Sequence, residues 1–227
     1  DVTASKMTYD WNENSRLTYN GLANYNWSNE NHNISALGGV SYEHYKYQQQ
    51  KSWRRNFPTN GMTGINGGSS APSDMSTEGD VYEDKLMSYF ARLNYSYKDR
   101  YLLEANFRAD ASSRFHKDNR WGFFPSFSAG WRVSEEAFFT QAKNYVSNLK
   151  LRLSYGSLGN QKTVGYYDYL QLINTGAVMN YAFGDTTKGD YAYESAPNST
   201  DLTWETVITK NIGLDLGFLN NRLKLET

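Results

Sequence analysis

Apolar and polar residues alternate along most of this chain with a period of two. In "YLLEANFRAD", Tyr101, Leu103, Ala105, Phe107 and Ala109 alternate with Leu102, Glu104, Asn106, Arg108 and Asp110. Successive side chains of a strand point to opposite faces, so the pattern predicts a strand with one apolar and one polar face. "LTYNGLANYNW" sets Leu17, Tyr19, Gly21, Ala23, Tyr25 and Trp27 against Thr18, Asn20, Asn24 and Asn26, and "NISALGGVSY" groups Ile34, Ala36, Gly38, Val40 and Tyr42. "LMSYFARLNYSY" sets Met87, Tyr89, Ala91, Leu93, Tyr95 and Tyr97 against Ser88, Arg92, Asn94 and Ser96. "FFPSFSAGWRV" sets Phe123, Pro125, Phe127, Ala129, Trp131 and Val133 against Ser126, Ser128 and Arg132. "LKLRLSY" alternates Leu149, Leu151, Leu153 and Tyr155 with Lys150, Arg152 and Ser154, and "ITKNIGLDLGF" groups Ile208, Ile212, Leu214, Leu216 and Phe218 against Asn211 and Asp215. With the terminal "NNRLKLET", whose Leu223 and Leu225 alternate, these segments predict eight strands, the last of them cut.

Charge is confined to one side. Among the apolar faces only Lys210 intrudes, near one strand end, where a long side chain can snorkel to an interface. Arg92, Glu104, Arg108, Arg132, Lys150 and Arg152 lie on the opposite faces. A soluble β-sandwich alternates in the same way, so alternation by itself leaves the surroundings of the apolar face open.

The connections narrow the choice. Short turns fall at 29–32, 98–100 and 220–222, and long polar segments at 48–85, 115–120 and 159–204. If successive strands run in opposite directions, the short turns all fall at one end and the long loops at the other. "SEEAFFTQAKNYVSN" joins the short-turn end and predicts a small helix, with Ser134 as N-cap and Glu135 and Glu136 in its first turn. Outer-membrane barrels show this asymmetry of short turns and long loops. About eleven residues rising roughly 3.3 Å each, tilted by about 40°, span roughly 27 Å of bilayer. Tyr25, Trp27, Tyr95, Tyr97, Tyr101 and Trp131 gather near the short-turn ends, and Tyr19, Tyr42, Tyr89, Phe123 and Tyr155 near the long-loop ends. Two aromatic girdles suit a barrel in lipid. The fold expected is therefore all-β, a transmembrane antiparallel barrel segment; a soluble, aromatic-rich, glycan-binding sandwich is the alternative.

Composition adds a few exclusions. The 227 residues carry 23 basic and 24 acidic side chains, a balance that argues against nucleic-acid binding through phosphate contacts. There is no cysteine, hence no disulfide framework or thiolate metal site. Aromatic residues make up 16% of the chain, 19 of them tyrosines, which favour surfaces offering both an apolar bed and a wet hydroxyl. No apolar run reaches the length of a transmembrane helix, and "DVTASKMTYD" lacks the pattern of a signal peptide. The chain reads as a fragment that stops within a strand.

Three segments resemble one family. "RYLLEANFRADASSRFHKDNRWGFFPSFSAGWRVSEEAFF" (100–139) is similar to a barrel stretch of SusC/RagA-type TonB-dependent outer-membrane transporters. "LKLRLSYGSLGNQ" (149–161) resembles the strand and loop that follow it, and "DLTWETVITKNIGLDLGFLNNRL" (201–223) the next barrel hairpin. The resemblance covers most of the chain from about Leu86 onward, and the first 48 residues fit as preceding strands. Ala111 stands where the family usually has glycine before its Ser-Ser-Arg-Phe run, a change of local backbone freedom. The resemblance implies that residues 1–227 are part of one barrel domain of roughly 22 strands with a plugged lumen. It implies a Gram-negative outer-membrane location and import of oligosaccharide or peptide. It also implies energy from the TonB complex and partnership with a SusD-like surface lipoprotein, the plug and TonB box lying upstream.

Candidate functional residues follow from both readings. Arg92, Glu104, Arg108, Arg132, Lys150 and Arg152 form a mixed-sign belt suited either to contact with a plug or to a solvated pore wall. Arg114, Asp118 and Arg120 in "SSRFHKDNRWG" either contact ligand or hold a turn through Arg–Asp pairs. The Tyr-, Asn- and Gly-rich loop 159–204 offers Tyr166, Tyr167, Tyr191 and Tyr193 for stacking on sugar rings or gripping peptide; self-packing of the loop is the plainer account. Trp53, beside Arg54 and Arg55, is a weaker candidate. Asp74, Glu78 and Asp80 lie in a flexible polar segment without the EF-hand spacing. His32, His44 and His116 form no HExxH motif or spaced triad, so neither enzyme nor cofactor is expected, and no metal.

Overall fold

The computed structural model describes residues 5–175, 182–183, 187–188, 192–195 and 198–227. In chain order its strands are β1 (Lys6–Ser28), β2 (His32–Arg55), β3 (Met75–Tyr97), β4 (Tyr101–Ser112), β5 (Trp121–Arg132) and β6 (Val146–Asn160). Four short strands follow, β7 (Ile173–Thr175), β8 (Ala182–Phe183), β9 (Thr187–Lys188) and β10 (Ala192–Glu194), and then β11 (Glu205–Phe218) and β12 (Leu223–Glu226). One eight-stranded sheet has the order β1-β2-β3-β4-β5-β6-β11-β12; β7 pairs with β10 and β8 with β9. The eight strands expected from alternation are these eight. The helical elements among the described residues are single 3₁₀ turns.

Two compact units divide the residues: Asp1–Thr18 with Glu43–Lys85, and Tyr19–Tyr42 with Leu86–Thr227. In the second unit the register carries the apolar face from strand to strand. Across β3, β4 and β5, Tyr95 pairs with Leu103 and Leu103 with Ala129; Leu93 pairs with Ala105 and Ala105 with Phe127. The rows continue through β6 and β11: Ala129 meets Leu153 and Leu153 meets Ile212, while Trp131 meets Leu151 and Leu151 meets Leu214. Residues directly opposite in an antiparallel pair share a face, so local alternation and inter-strand register build one continuous apolar surface.

Nothing among the described residues covers that surface. Leu153 is 55% exposed and Ile212 84%. The buried apolar side chains among the described residues are Ala109, Phe115, Phe124, Val133 and Val164. A soluble domain of this length buries most of the surface its unfolded chain exposes. This sheet has a small core, most of it at the loop end with Val133 at the turn end, and an apolar face that the described residues leave uncovered.

The turn end shows how short connections close the hairpins. Lys98 and Asp99 both have positive φ (50° and 51°), the two-residue turn whose twist matches flanking strands, closed by Arg100 N–H donating to Tyr97 O at 3.0 Å. At 29–32 the Asn29 carboxamide oxygen accepts from the backbone N–H groups of Asn31 (2.9 Å) and His32 (2.8 Å). Leu219, Asn220 and Asn221 turn the chain into β12 with φ of 51°, 54° and 62°. Tyr97, Tyr101 and Trp131 stack at this end with centroid spacings of 6.2 and 6.4 Å; toward the loop end Tyr89 stacks on Trp121 at 5.9 Å.

The first unit holds the outer parts of β1, β2 and β3 with their connection. These strands run for 23, 24 and 23 residues, about twice the length expected from the alternating stretches. The irregular connection is therefore 56–74, shorter than the 48–85 taken as a loop. Polar side chains pair across the ladder here: Arg16 with Glu43 at 3.4 Å, Tyr45 donating to Asn14 at 2.7 Å, and Gln49 to Asp10 at 3.0 Å. Such pairs stabilise strands without apolar alternation, which is why the sequence pattern ends before the strands do.

Two further expectations fail locally. The segment after β5 is not a small helix but three 3₁₀ turns, Val133–Glu135, Ala137–Phe139 and Ala142–Asn144. Ser134 lies inside the first turn, fully buried, and does not cap it. Glu136 takes an extended backbone (φ −80°, ψ 147°) because its carboxylate is bound on the sheet, and that interrupts helical propagation. Lys210 pairs with Tyr155, five residues in from the start of β11 rather than near the strand end, since β11 begins at Glu205.

Candidate functional site

The polar face of the second unit is a network in which Arg92, Arg108 and Arg152 are each held by a side chain of a neighbouring strand. Arg108 on β4 donates from Nε to both carboxylate oxygens of Asp110 (2.8 and 2.7 Å) and from Nη2 to Ser88 on β3 (3.0 Å). Asp110 and Ser88 are buried, so this charge-assisted set is firmly held. Arg92 on β3 donates from Nε to the Asn106 side-chain oxygen at 2.6 Å, and Asn106 donates to Glu104 at 2.7 Å. Arg152 on β6 grips Asp215 on β11 from Nε (2.9 Å) and Nη2 (2.7 Å). Arg132 reaches Asp99 O at 3.2 Å and Glu135 at 3.9 Å, and Lys150 lies in register between Arg132 and Asp215. Among the described residues Arg92 makes no ion pair, its Nε resting on a neutral amide. Arg92, Asn106, Arg108, Asp110, Phe124 and Ser126 help line a concavity of about 390 Å³.

This face is not uniformly polar, and sequence reasoning missed that. Phe90 and Leu22 both stand where a Cβ on Gly39 would meet them, and Phe124 lies over Gly122 and Gly159. A Cβ on Gly159 would penetrate the Phe124 ring, and one on Gly122 would also come within 2.8 Å of Trp204 Cδ1. The glycines are the available signal: a glycine within a strand often marks a close approach of something else.

Phe124 belongs to a cluster that roots the long loop. Phe115 is completely buried, with ring centroids 5.3 Å from Trp204; Phe124 packs edge-on against Trp204 at 5.4 Å. Trp204 Nε1 donates to Arg120 O at 2.8 Å, Arg120 Nε to Phe115 O at 3.2 Å, and Asn119 to Thr200 O at 2.9 Å. Arg114 donates to Val164 O at 3.0 Å, and its guanidinium sits 4.2 Å from the Tyr166 ring centroid. These arginines bind backbone carbonyls and a ring, whereas Asp118 pairs with His116 at 3.2 Å.

Tyr166 already carries Arg114 on its ring, and Tyr193 on β10 is exposed opposite Asn174 on β7. Tyr167 is half-buried, and Tyr191 lies outside the described residues. Trp53, in the first unit, has Lys6 Nζ and Arg55 Cζ each 4.7 Å from its ring, cation–π contacts that already use the ring. Asp74 accepts from Asn56 Nδ2 at 2.9 Å, and a hydrogen bond from Ser69, then that from Asn56, holds its carboxyl below the usual range. Among the described residues no group of three acidic or histidine side chains is arranged to hold a metal.

A family model for the β-barrel of TonB-dependent receptor-like proteins matches residues 2–227. The chain belongs to this family. TonB-dependent receptor SusC of Bacteroides thetaiotaomicron is 47% identical over 141 residues, 61% of this chain and 14% of that protein. TonB-dependent receptor P26 of Formosa agariphila is 34% identical over 220 residues, 96% of this chain and 21% of that protein. Among solved structures, that of the RagAB peptide transporter superposes with a TM-score of 0.87 at 28% identity, covering 100% of this chain and 24% of that one. The chain thus spans about a quarter or less of the relatives it matches. Membership makes the eight-stranded sheet part of a TonB-dependent receptor barrel. Membership in this family also replaces the sandwich alternative.

Proposed function

We propose that the chain forms part of the wall of an outer-membrane, TonB-energised importer that takes up oligosaccharide or peptide with a SusD-like surface lipoprotein. The observation that carries this reading is the apolar face, continuous through β3, β4, β5, β6 and β11, interrupted by charge at Lys210 in β11, and left uncovered by the described residues. In water such a face costs about 25 cal/mol per Å² of apolar surface kept wet; against lipid tails it costs nothing. The apolar face meets lipid, and the opposite face lines the lumen.

The lumen face suits a packed occupant better than bulk water. Leu22 and Phe90 interrupt its polar rows, and Arg92 lies beside the concavity without a carboxylate partner among the described residues. A plug domain supplies apolar and acidic groups to such a surface. Arg92, Glu104, Arg108, Arg132, Lys150 and Arg152 are assigned as plug-facing, with substrate passing when the plug moves. Tyr166, Tyr167, Tyr191, Tyr193 and Trp53 are assigned to cargo or lid contact at the loop end. Transport of this kind is binding and gated passage, with no bond made or broken in the cargo by the barrel.

The test is fractionation of cell envelopes containing the full-length protein, followed by gentle detergent extraction. Recovery in the outer-membrane fraction with a lipoprotein partner, and uptake lost when TonB is removed, is the expected result. Recovery in the soluble fraction, or uptake indifferent to TonB, overturns the reading.

A further inference from the structure

The segment 133–145, between β5 and β6, carries exposed aromatic rings that no contact of the sheet explains. Phe138 is 69% exposed and Tyr145 80%. The segment joins two inner strands and so lies away from both sheet edges, where the rest of a barrel continues.

Glu136 fixes the side of the sheet to which the segment folds. Its Oε1 accepts from Tyr101 Oη at 2.7 Å and from Trp131 Nε1 at 3.1 Å, and Oε2 accepts from Arg100 Nη1 at 3.2 Å. Tyr101 and Trp131 pair in register on the apolar face. The carboxylate therefore sits over the end of that face, and the Ala137–Phe139 turn starts from there. Beyond it, Lys143 Nζ pairs with Glu135 at 3.3 Å, a polar contact on the same short segment. Exposed aromatic rings on a segment tethered to the end of an apolar belt lie at the level where interfacial aromatic residues gather.

We propose that residues 133–145 form an in-plane membrane anchor, with Phe138 inserted at the headgroup–acyl boundary of the leaflet on the short-turn side and the Glu135–Lys143 pair in water. Glu136 acts as the bracket: by taking the polar tips of Tyr101 and Trp131 it joins the anchor to the aromatic girdle, so strand depth and anchor depth are set together. The partner is the lipid surface itself. The inference rests on the reading of the apolar face as lipid-facing.

The experiment uses the full-length protein reconstituted into vesicles of phosphatidylethanolamine and phosphatidylglycerol. Single cysteines carrying an environment-sensitive fluorophore replace Phe138, Lys143 and, as a belt reference, Leu153; Tyr145→Cys gives a second reading of the anchor if the Phe138 variant does not fold. The expected result is severalfold stronger quenching of the position-138 label by lipids brominated near the headgroup than by aqueous iodide, with the order reversed at position 143. Iodide quenching at 138, or at 145 in its stead, equal to that at 143 overturns the anchor while a lipid-shielded label at 153 leaves the barrel reading standing. A label at 153 open to iodide overturns both.

Discussion

Replacing Leu153 by arginine tests the central assignment most directly. Leu153 lies seven residues from each end of β6, Val146–Asn160, with Ala129 and Ile212 as its register partners. At about 3.3 Å per residue and a tilt near 40°, it sits about 18 Å along the normal from either strand end, at the middle of the hydrocarbon. An arginine facing lipid there costs about 2–4 kcal/mol, roughly 30- to 900-fold in the folding equilibrium. If water bathed this face, the same change at a 55% exposed position would stay within about 0.5 kcal/mol. Ser154→Arg, one residue along and on the polar face, is the internal control and is expected to cost far less. The assay is guanidinium unfolding of the full-length protein refolded into vesicles, scored by the midpoint of the heat-modifiable band. Equal midpoints for Leu153→Arg and Ser154→Arg would refute the lipid-facing assignment, because the two side chains differ only in face.

Other outcomes follow from the loop root and the turn end. Trp204→Ala removes the donor to Arg120 O and empties the contact among Phe115, Phe124 and Trp204, a loss of about 3–5 kcal/mol that limited proteolysis should register as faster cleavage within 161–204. Gly159→Val drives a side chain into the Phe124 ring and is expected to destabilise by about 1–3 kcal/mol, and Phe124→Ala in the same chain should relieve part of it; an additive double mutant would contradict the contact. The hydrogen bond from Tyr101, then that from Trp131, holds the Glu136 carboxyl below its usual 4.5, so its contribution is complete above that value and is lost as pH falls through the lowered one. The difference in Trp131 emission between the native protein and Glu136→Gln should therefore stay constant from neutral pH down to about 5 and vanish in stronger acid. Arg108→Ala leaves Asp110 buried without its bidentate partner and should cost more than Arg152→Ala, whose carboxylate is nearer solvent; equal midpoints in the same unfolding assay would argue against this ranking.

Alternation made facing legible along the strands of the second unit, because the side-chain period of two is a local property that needs no partner. The charge-free rows through Leu103, Leu151 and Leu153, the charged rows through Arg92, Arg108 and Arg152, and the eight strands were all visible that way. Turn chemistry was similarly local, as at Asn29 and Lys98–Asp99. Features that depend on distant partners were not. The outer parts of β1–β3 are held by cross-strand polar pairs such as Gln49 with Asp10, so their residues carry no periodic signal of their own. Phe90 and Phe124 look out of phase until Gly39, Gly122 and Gly159 are seen to make room for their rings. Trp204 gains its meaning from Arg120, 84 residues earlier, and Glu136 from Tyr101, 35 residues earlier. The expected helix after β5 failed for the same reason, since three donors on the sheet outweighed the local preference of a short segment for one more helical turn. Strand identity and facing thus came from the sequence alone, through backbone geometry. The loop root, the bracketed turn and the occupants of the glycine gaps were decided by which strands meet, and only register across the sheet brings those residues within reach of one another.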